Sequence, residues 1–179
     1  MSILAGKRVL AFTDDEFEDL EMWYPVLRLR ESGAEVVVAG ARGGQKYIGK
    51  YGVPLISDVS FDDVSADSFD GLYVPGGWAP DKLRRYAGVL KLTRDFHQAS
   101  KPIAHICHAG WVLISAKICE GYTMTSTPGI KDDLENAGAI WVDEEVVVDR
   151  NIVSGRRPPD LPAFTLAFVN LLAGTGNRS

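Results

Sequence analysis

The sequence is poor in the residues that build disulfide scaffolds, metal centres and membrane spans. Two cysteines occur in 179 residues, Cys107 and Cys119, twelve positions apart. That spacing fits neither a C-x-x-C redox pair nor a zinc pattern, and a disulfide framework is not expected. The only histidines are His97, His105 and His108. Without a spaced set of His, Cys and carboxylate ligands, neither a catalytic metal nor a cofactor is expected. No histidine follows His108, which excludes cysteine hydrolases and amidotransferases that draw their base from far downstream. No apolar run approaches the ~20 residues of a membrane helix. No block of like charge appears, and a net charge of −5 offers little to nucleic acid or an anionic membrane. The N-terminus shows no signal-peptide pattern, so a cytoplasmic protein with free thiols is expected.

What is present is an ordinary globular composition, 46% hydrophobic, at a length that suits one domain. A single domain over residues 1–173 is expected, with 174–179 as a fraying tail. Strand and helix signals alternate. Residues 8–13 read as a strand, and Leu20, Trp23, Tyr24 and Leu27 then recur at helical spacing. Pro25 falls inside that helix and predicts a kink or irregular turn. Residues 35–39 form the next strand, 41–59 a hairpin and 71–74 a short strand. A helix is expected over about 80–98, broken at Gly88, then a strand ending at Ile106 and a helix over 110–116. A weaker strand is expected at 122–125, a helix over 129–136, and strands at 140–142 and 146–148. The last helix carries Leu161, Phe164, Thr165, Phe168 and Leu172 on one face. Alternating β and α elements imply a mainly parallel sheet covered on both faces, an α/β three-layer sandwich. Such sheets bind ligands at the carboxyl ends of their strands.

Cys107 stands at such an end, on a sharp strand-to-helix turn, Ile106-Cys107-His108-Ala109. A turn of that kind projects the sulfur from the sheet edge, and the helix N-terminus is expected to favour the thiolate. His108 can fold back towards the sulfur as base or charge partner. Tyr73-Val74-Pro75-Gly76-Gly77-Trp78 brings glycines to the same edge. The backbone amides of Gly77 and His108 are the candidate oxyanion hole. Asp14-Asp15-Glu16-Phe17-Glu18-Asp19 carries five carboxylates at the end of the first strand. An acid from this loop beside the thiol would stay protonated and donate a hydrogen bond to the sulfur.

These segments, with Tyr24-Pro25, Pro128-Gly129-Ile130-Lys131-Asp132-Asp133, Val146–Asp149, and Arg156 with Asp160, resemble the ThiJ/PfpI superfamily. The resemblance is to its PfpI branch of intracellular cysteine peptidase-like and deglycase-like proteins. It implies a flavodoxin-like sheet, as in class-I glutamine amidotransferases. It assigns Cys107 as nucleophile, Glu18 as the carboxyl that contacts it and His108 as the catalytic histidine. It also implies that Asp81 orients the histidine of a neighbouring subunit, in a dimer or a ring of dimers. Departures from the family pattern are Ala109 for glycine, His105 for a small residue, Thr127 for tyrosine and Trp78 for arginine. Gly76, Trp78 and Thr127 are the candidate pocket residues, with Trp78 either a pocket wall or an interface aromatic.

Gly44–Lys50 fits G-x-x-x-x-G-K, but Tyr51 stands where a P-loop needs Ser or Thr, and Pro54 forbids the helix. The segment reads as a hairpin turn. The expected function is a cysteine-nucleophile hydrolase acting on carbonyl centres, a peptidase or deglycase serving stress protection. The alternatives are a cofactor-free glyoxalase converting methylglyoxal to lactate, and a redox-sensing, chaperone-like protein using an oxidisable Cys107.

Overall fold

The computed structural model describes residues 2–175. A seven-stranded sheet forms the middle layer. Its strands are β1 (Arg8–Phe12), β2 (Glu35–Gly40), β5 (Val59–Ser60), β6 (Gly71–Val74), β7 (Ile103–Ile106), β10 (Val146–Asp149) and β11 (Ile152–Gly155), in the order β10-β11-β7-β6-β1-β2-β5. All neighbours are parallel except the β10/β11 edge hairpin. The central strands read as unbroken apolar runs because both faces are covered. Val9, Leu10, Ala11, Phe12, Leu72, Tyr73 and Val74 are all fully buried.

Helices α1 (Asp19–Glu31) and α6 (Leu161–Ala173) pack together, while α3 (Ala87–Gln98), α4 (Gly110–Ala116), α2 (Ala79–Leu83) and α5 (Lys131–Asn136) form a second group. The α6 face expected from its spacing is buried throughout. Gly174 closes α6 with a left-handed backbone, and Thr175 N–H returns to the Asn170 carbonyl. The first two residues assigned to the tail thus cap a helix; 176–179 lie outside the described residues. Two small pairs stand apart from the main sheet: the hairpin β3 (Lys46–Ile48)/β4 (Pro54–Ile56), and β8 (Thr123–Met124) beside β9 (Ile140–Trp141).

Several elements differ from the sequence expectation. The helix foreseen over 80–98 is two helices, separated at residues 84–86, and Gly88 lies inside α3. β11 is missing from the sequence reading; it is four residues long and follows Asp149-Arg150-Asn151, a turn with Arg150 at φ 53°. α1 runs unbroken through Pro25. Pro25 has no N–H for the Glu21 carbonyl, and the Tyr73 hydroxyl donates to that carbonyl instead. The apolar residues that marked α1 do not form its core face. Leu20, Tyr24 and Leu27 are exposed, whereas Met22, Val26 and Leu29 are buried.

Candidate active site

The site lies where β1, β6 and β7 end side by side. Cys107 follows β7 and takes φ +61°, a left-handed conformation that costs a non-glycine residue about 1–3 kcal/mol. The chain then makes a short 3-10 turn, Cys107–Ala109, into α4. Beside it, Gly76 and Gly77 follow β6. A Cβ on Gly76 would stand 2.2 Å from Glu21 Oε2 and 2.6 Å from Cys107 Cβ. Gly76 is therefore the backbone spacer between the acid and the nucleophile. Gly77 has φ +78°, pairs with Phe17 as an isolated antiparallel bridge, and has no room for a side chain against Glu18 N. Glu18 N–H to Gly76 O (3.1 Å) and Trp78 N–H to Glu16 O (2.8 Å) complete this seam. It fixes the β1 loop against the nucleophile turn.

The backbone N–H groups of Gly77 and His108, the candidate oxyanion amides, lie near enough to the Cys107 sulfur to favour its thiolate. His108 Nδ1 lies 3.3 Å from Sγ. Its ring stands between two indoles, Trp78 at 4.8 Å and Trp111 at 4.9 Å between centroids. Trp111 is anchored by its N–H to Asp133 (2.8 Å). Burial, and then the charge of Lys50, push the His108 imidazole below its ordinary range. At neutral pH it is an uncharged base.

The carboxyl at the sulfur is Glu21, not Glu18. Glu18 is the N-cap of α1, and its side chain accepts the Glu21 backbone N–H at 2.7 Å. A capping side chain turns back onto its own helix, whereas a residue one turn on projects outward from it. Glu21 is fully buried, and the Cys107 thiol comes within hydrogen-bonding range of its carboxyl. Neither Glu21 oxygen has a partner of full hydrogen-bond geometry. Burial, then the charge of Glu18, push Glu21 up to about 8. Burial, then Glu21, push the Cys107 thiol up to about 12, although the Gly77 and His108 amides act the other way. Desolvation thus opposes the thiolate that the helix terminus is expected to favour, while the two amides support it.

Asp81 does not hold His108 within the chain. It sits on α2 and pairs with Arg85 at 2.5 Å, four residues on, with its side chain 45% exposed. Thr127 is buried at the start of the turn Pro128–Ile130, and its carbonyl accepts from Ser126 Oγ (2.8 Å) and Ile130 N (3.2 Å). That turn packs on Gly110 beside the nucleophile turn, while Thr127's hydrogen bonds do not reach the sulfur. Trp78 is 49% exposed and walls the histidine. His105 is fully buried, neither ring nitrogen has a partner, and burial pushes it down to about 3. Cys119 is a buried thiol pushed up to about 12. The P-loop-like segment forms the β3/β4 hairpin and its tip, with Gly44 at φ +72°.

Three residues at the site were not singled out from the sequence: Glu21, Trp111 and Lys50. Glu21 was legible in principle, as the third residue after a capping acid, the spacing of a capping box. Trp111 read as helix interior, and Lys50 entered only as part of a rejected motif.

A family model described as the DJ-1/PfpI family matches residues 7–171. The chain belongs to the DJ-1/PfpI family. Among its curated relatives, Deglycase PfpI of Pyrococcus furiosus is 44% identical over 165 residues, which is 92% of this chain and 99% of that protein. Putative cysteine protease YraA of Bacillus subtilis is 39% identical over 167 residues, covering 93% and 99%. Among solved structures, a two-domain protein from Anabaena variabilis with DJ-1/ThiJ/PfpI-like and ferritin-like domains superposes with a TM-score of 0.92 at 36% identity. That match covers 95% of this chain and 49% of the Anabaena protein, so this chain spans about half of its length. Nine-tenths of the DJ-1/PfpI chain is thus shared with proteins that differ in the activity their names carry.

Proposed function

We propose that this protein is a PfpI-type cysteine-dependent hydrolase that removes small carbonyl adducts, a deglycase, with Cys107 as nucleophile. The observation that carries the reading is the Cys107–His108 contact at 3.3 Å, on the turn where β7 passes into α4. In the reaction, Sγ bonds to the carbinol carbon of an aminocarbinol adduct as its C–N bond breaks, and the thiol proton passes by way of His108 Nδ1 to the leaving amine. The hemithioacetal so formed becomes a thioester by proton transfer from its carbinol carbon to the neighbouring carbonyl carbon, through an enediolate whose developing charge the Gly77 and His108 amides receive. Glu21 in its protonated form donates towards the sulfur. Water then cleaves the thioester and releases a 2-hydroxy acid and the free thiol.

The small-adduct substrate is favoured over a polypeptide by burial, since Cys107 is only 8% exposed and lies behind the Trp78–His108 stack. The test compares turnover of a methylglyoxal-modified amino acid with hydrolysis of casein by the same preparation. Turnover of the adduct with no cleavage of casein is expected; the reverse would replace the deglycase reading with the peptidase one.

A second copy of the chain is the partner this site calls for. Asp81 is half-exposed and free to orient a histidine across an interface in place of Arg85. The outward stripe of Leu20, Tyr24 and Leu27 on α1 is the kind of apolar surface that a homodimer buries. Among the described residues no helix is long and apolar enough to cross a membrane.

A further inference from the structure

The hairpin that the site leaves unexplained ends in Lys50. Its backbone is tied to the nucleophile's neighbourhood at several points. Lys50 N–H donates to Phe17 O (2.9 Å), Glu16 N–H to Ile48 O (2.8 Å), and Ile48 N–H to Asp15 Oδ1 (2.9 Å). The Asp19 carboxylate accepts Tyr51 N–H and Val53 N–H, both at 2.8 Å, and Gly49 makes room for it. Phe17, which receives Lys50, is the residue bridged to Gly77. The hairpin tip and the oxyanion amide therefore share one hydrogen-bonded frame.

Several other charges around this frame are engaged. Lys82 pairs with Glu16 at 3.4 Å, Arg85 with Asp81, and Arg84 bonds Ser115 Oγ at 2.8 Å. Asp19 holds the hairpin and Glu18 caps α1. Lys50 has no carboxylate partner within salt-bridge distance among the described residues; its ammonium lies 5.0 Å from the centroid of the exposed Tyr51 ring. Its field nevertheless reaches Glu21 and His108, the two groups that flank the sulfur. Trp78 supplies no cation at this edge. An unpaired cation on a backbone pinned beside the nucleophile turn attracts anions to that edge.

We propose that Lys50 is a specificity-determining residue that draws to Cys107 those electrophiles carrying an anionic oxygen group, a carboxylate above all, beside the reacting carbon. The proposal rests on Cys107 being the nucleophile. It deepens the deglycase reading by naming the substrate class: adducts and 2-oxo compounds that bear a carboxylate near the carbonyl.

The test uses two thiol reagents that differ only in charge. Iodoacetate and iodoacetamide both form the C–S bond and release iodide. Their second-order rates at Cys107 are followed by peptide mass spectrometry at low ionic strength. Taking the iodoacetate-to-iodoacetamide ratio cancels any change in thiolate population. Lys50→Gln is expected to lower that ratio roughly three- to tenfold, as for two unit charges about 4 Å apart in bulk water. Lys50→Arg should hold it within about twofold, and ~0.5 M salt should collapse the wild-type preference. A ratio unchanged by Lys50→Gln, or equal falls in both rates, would overturn the proposal while leaving Cys107 as nucleophile. Failure of both reagents at Cys107 would overturn the proposed function and this inference together.

Discussion

At the scale of single residues, two glutamates three positions apart do different work. Glu18 caps α1, and Glu21 shares a dry pocket with the thiol. Glu18→Ala should cost about 1 kcal/mol of stability, the usual loss of an N-cap, with the chemistry largely kept. Glu21→Ala should instead slow turnover by at least about tenfold, because it removes the donor towards the sulfur, whereas Glu21→Gln keeps one; steady-state kinetics on the variants separates the roles. Glu21 also makes stability depend on pH. The folded chain keeps its proton up to about 8, whereas the unfolded chain releases it near 4.5. Stability from this group is therefore full below about 4.5 and is lost as pH rises towards 8. Glu21→Gln imitates the protonated acid, so its melting temperature should gain on wild type as pH goes from 5 to 8. A constant difference across that range would contradict the assignment. Cys107, His108 and Gly77 were legible because a cysteine after an apolar strand, and glycines after the next, are marks of backbone geometry. The acid was not legible to the same degree: five carboxylates crowd residues 14–19, and the one that turns to the sulfur, Glu21, lies beyond them, within α1.

At the scale of elements, α1 shows how a local rule is overridden by a tertiary contact. Proline in a helix interior removes a hydrogen bond and costs about 3 kcal/mol where nothing compensates. Here the Tyr73 hydroxyl on β6 donates to the carbonyl that Pro25 leaves open. Tyr73→Phe should cost about 1–3 kcal/mol, the penalty of a buried carbonyl left unpaired. Adding Pro25→Ala restores an N–H for Glu21 O, so the double variant should recover part of that loss in denaturant unfolding. Simple additivity of the two changes would contradict the account. The sequence marked Pro25 as a break because the compensating donor comes from 48 positions further along the chain. The outward stripe on α1 is a similar case. Periodicity shows that Leu20, Tyr24 and Leu27 share a face, and only packing shows that the sheet covers the other one.

At the scale of the whole molecule, the parallel pairing of β7, β6, β1 and β2 fits the alternation of apolar runs and helices, which is why the layered architecture was readable. The two short outlying strand pairs and β11 were less readable, since two- to four-residue strands carry little periodicity. Burial of ionisable groups limits the fold from both sides of neutrality. His105 refuses a proton until about 3, whereas the unfolded chain takes one near 6.5. Its contribution is full above about 6.5 and is lost as pH falls towards 3, opposite in direction to that of Glu21. Thermal melts from pH 3 to 9 should therefore peak between the two limbs, and His105→Leu should flatten the acid one. If Leu20, Tyr24 and Leu27 meet a second copy, Leu27→Glu should shift the sedimentation coefficient towards the monomer; an unchanged coefficient would remove that surface from the interface. The claim on which the rest depends is that Cys107 performs the chemistry. Its most direct test is the hydrolysis rate of a methylglyoxal-modified amino acid by wild type and by Cys107→Ser of equal circular dichroism. The account predicts a loss of at least a hundredfold in the serine variant; a rate within a few-fold of wild type would contradict it.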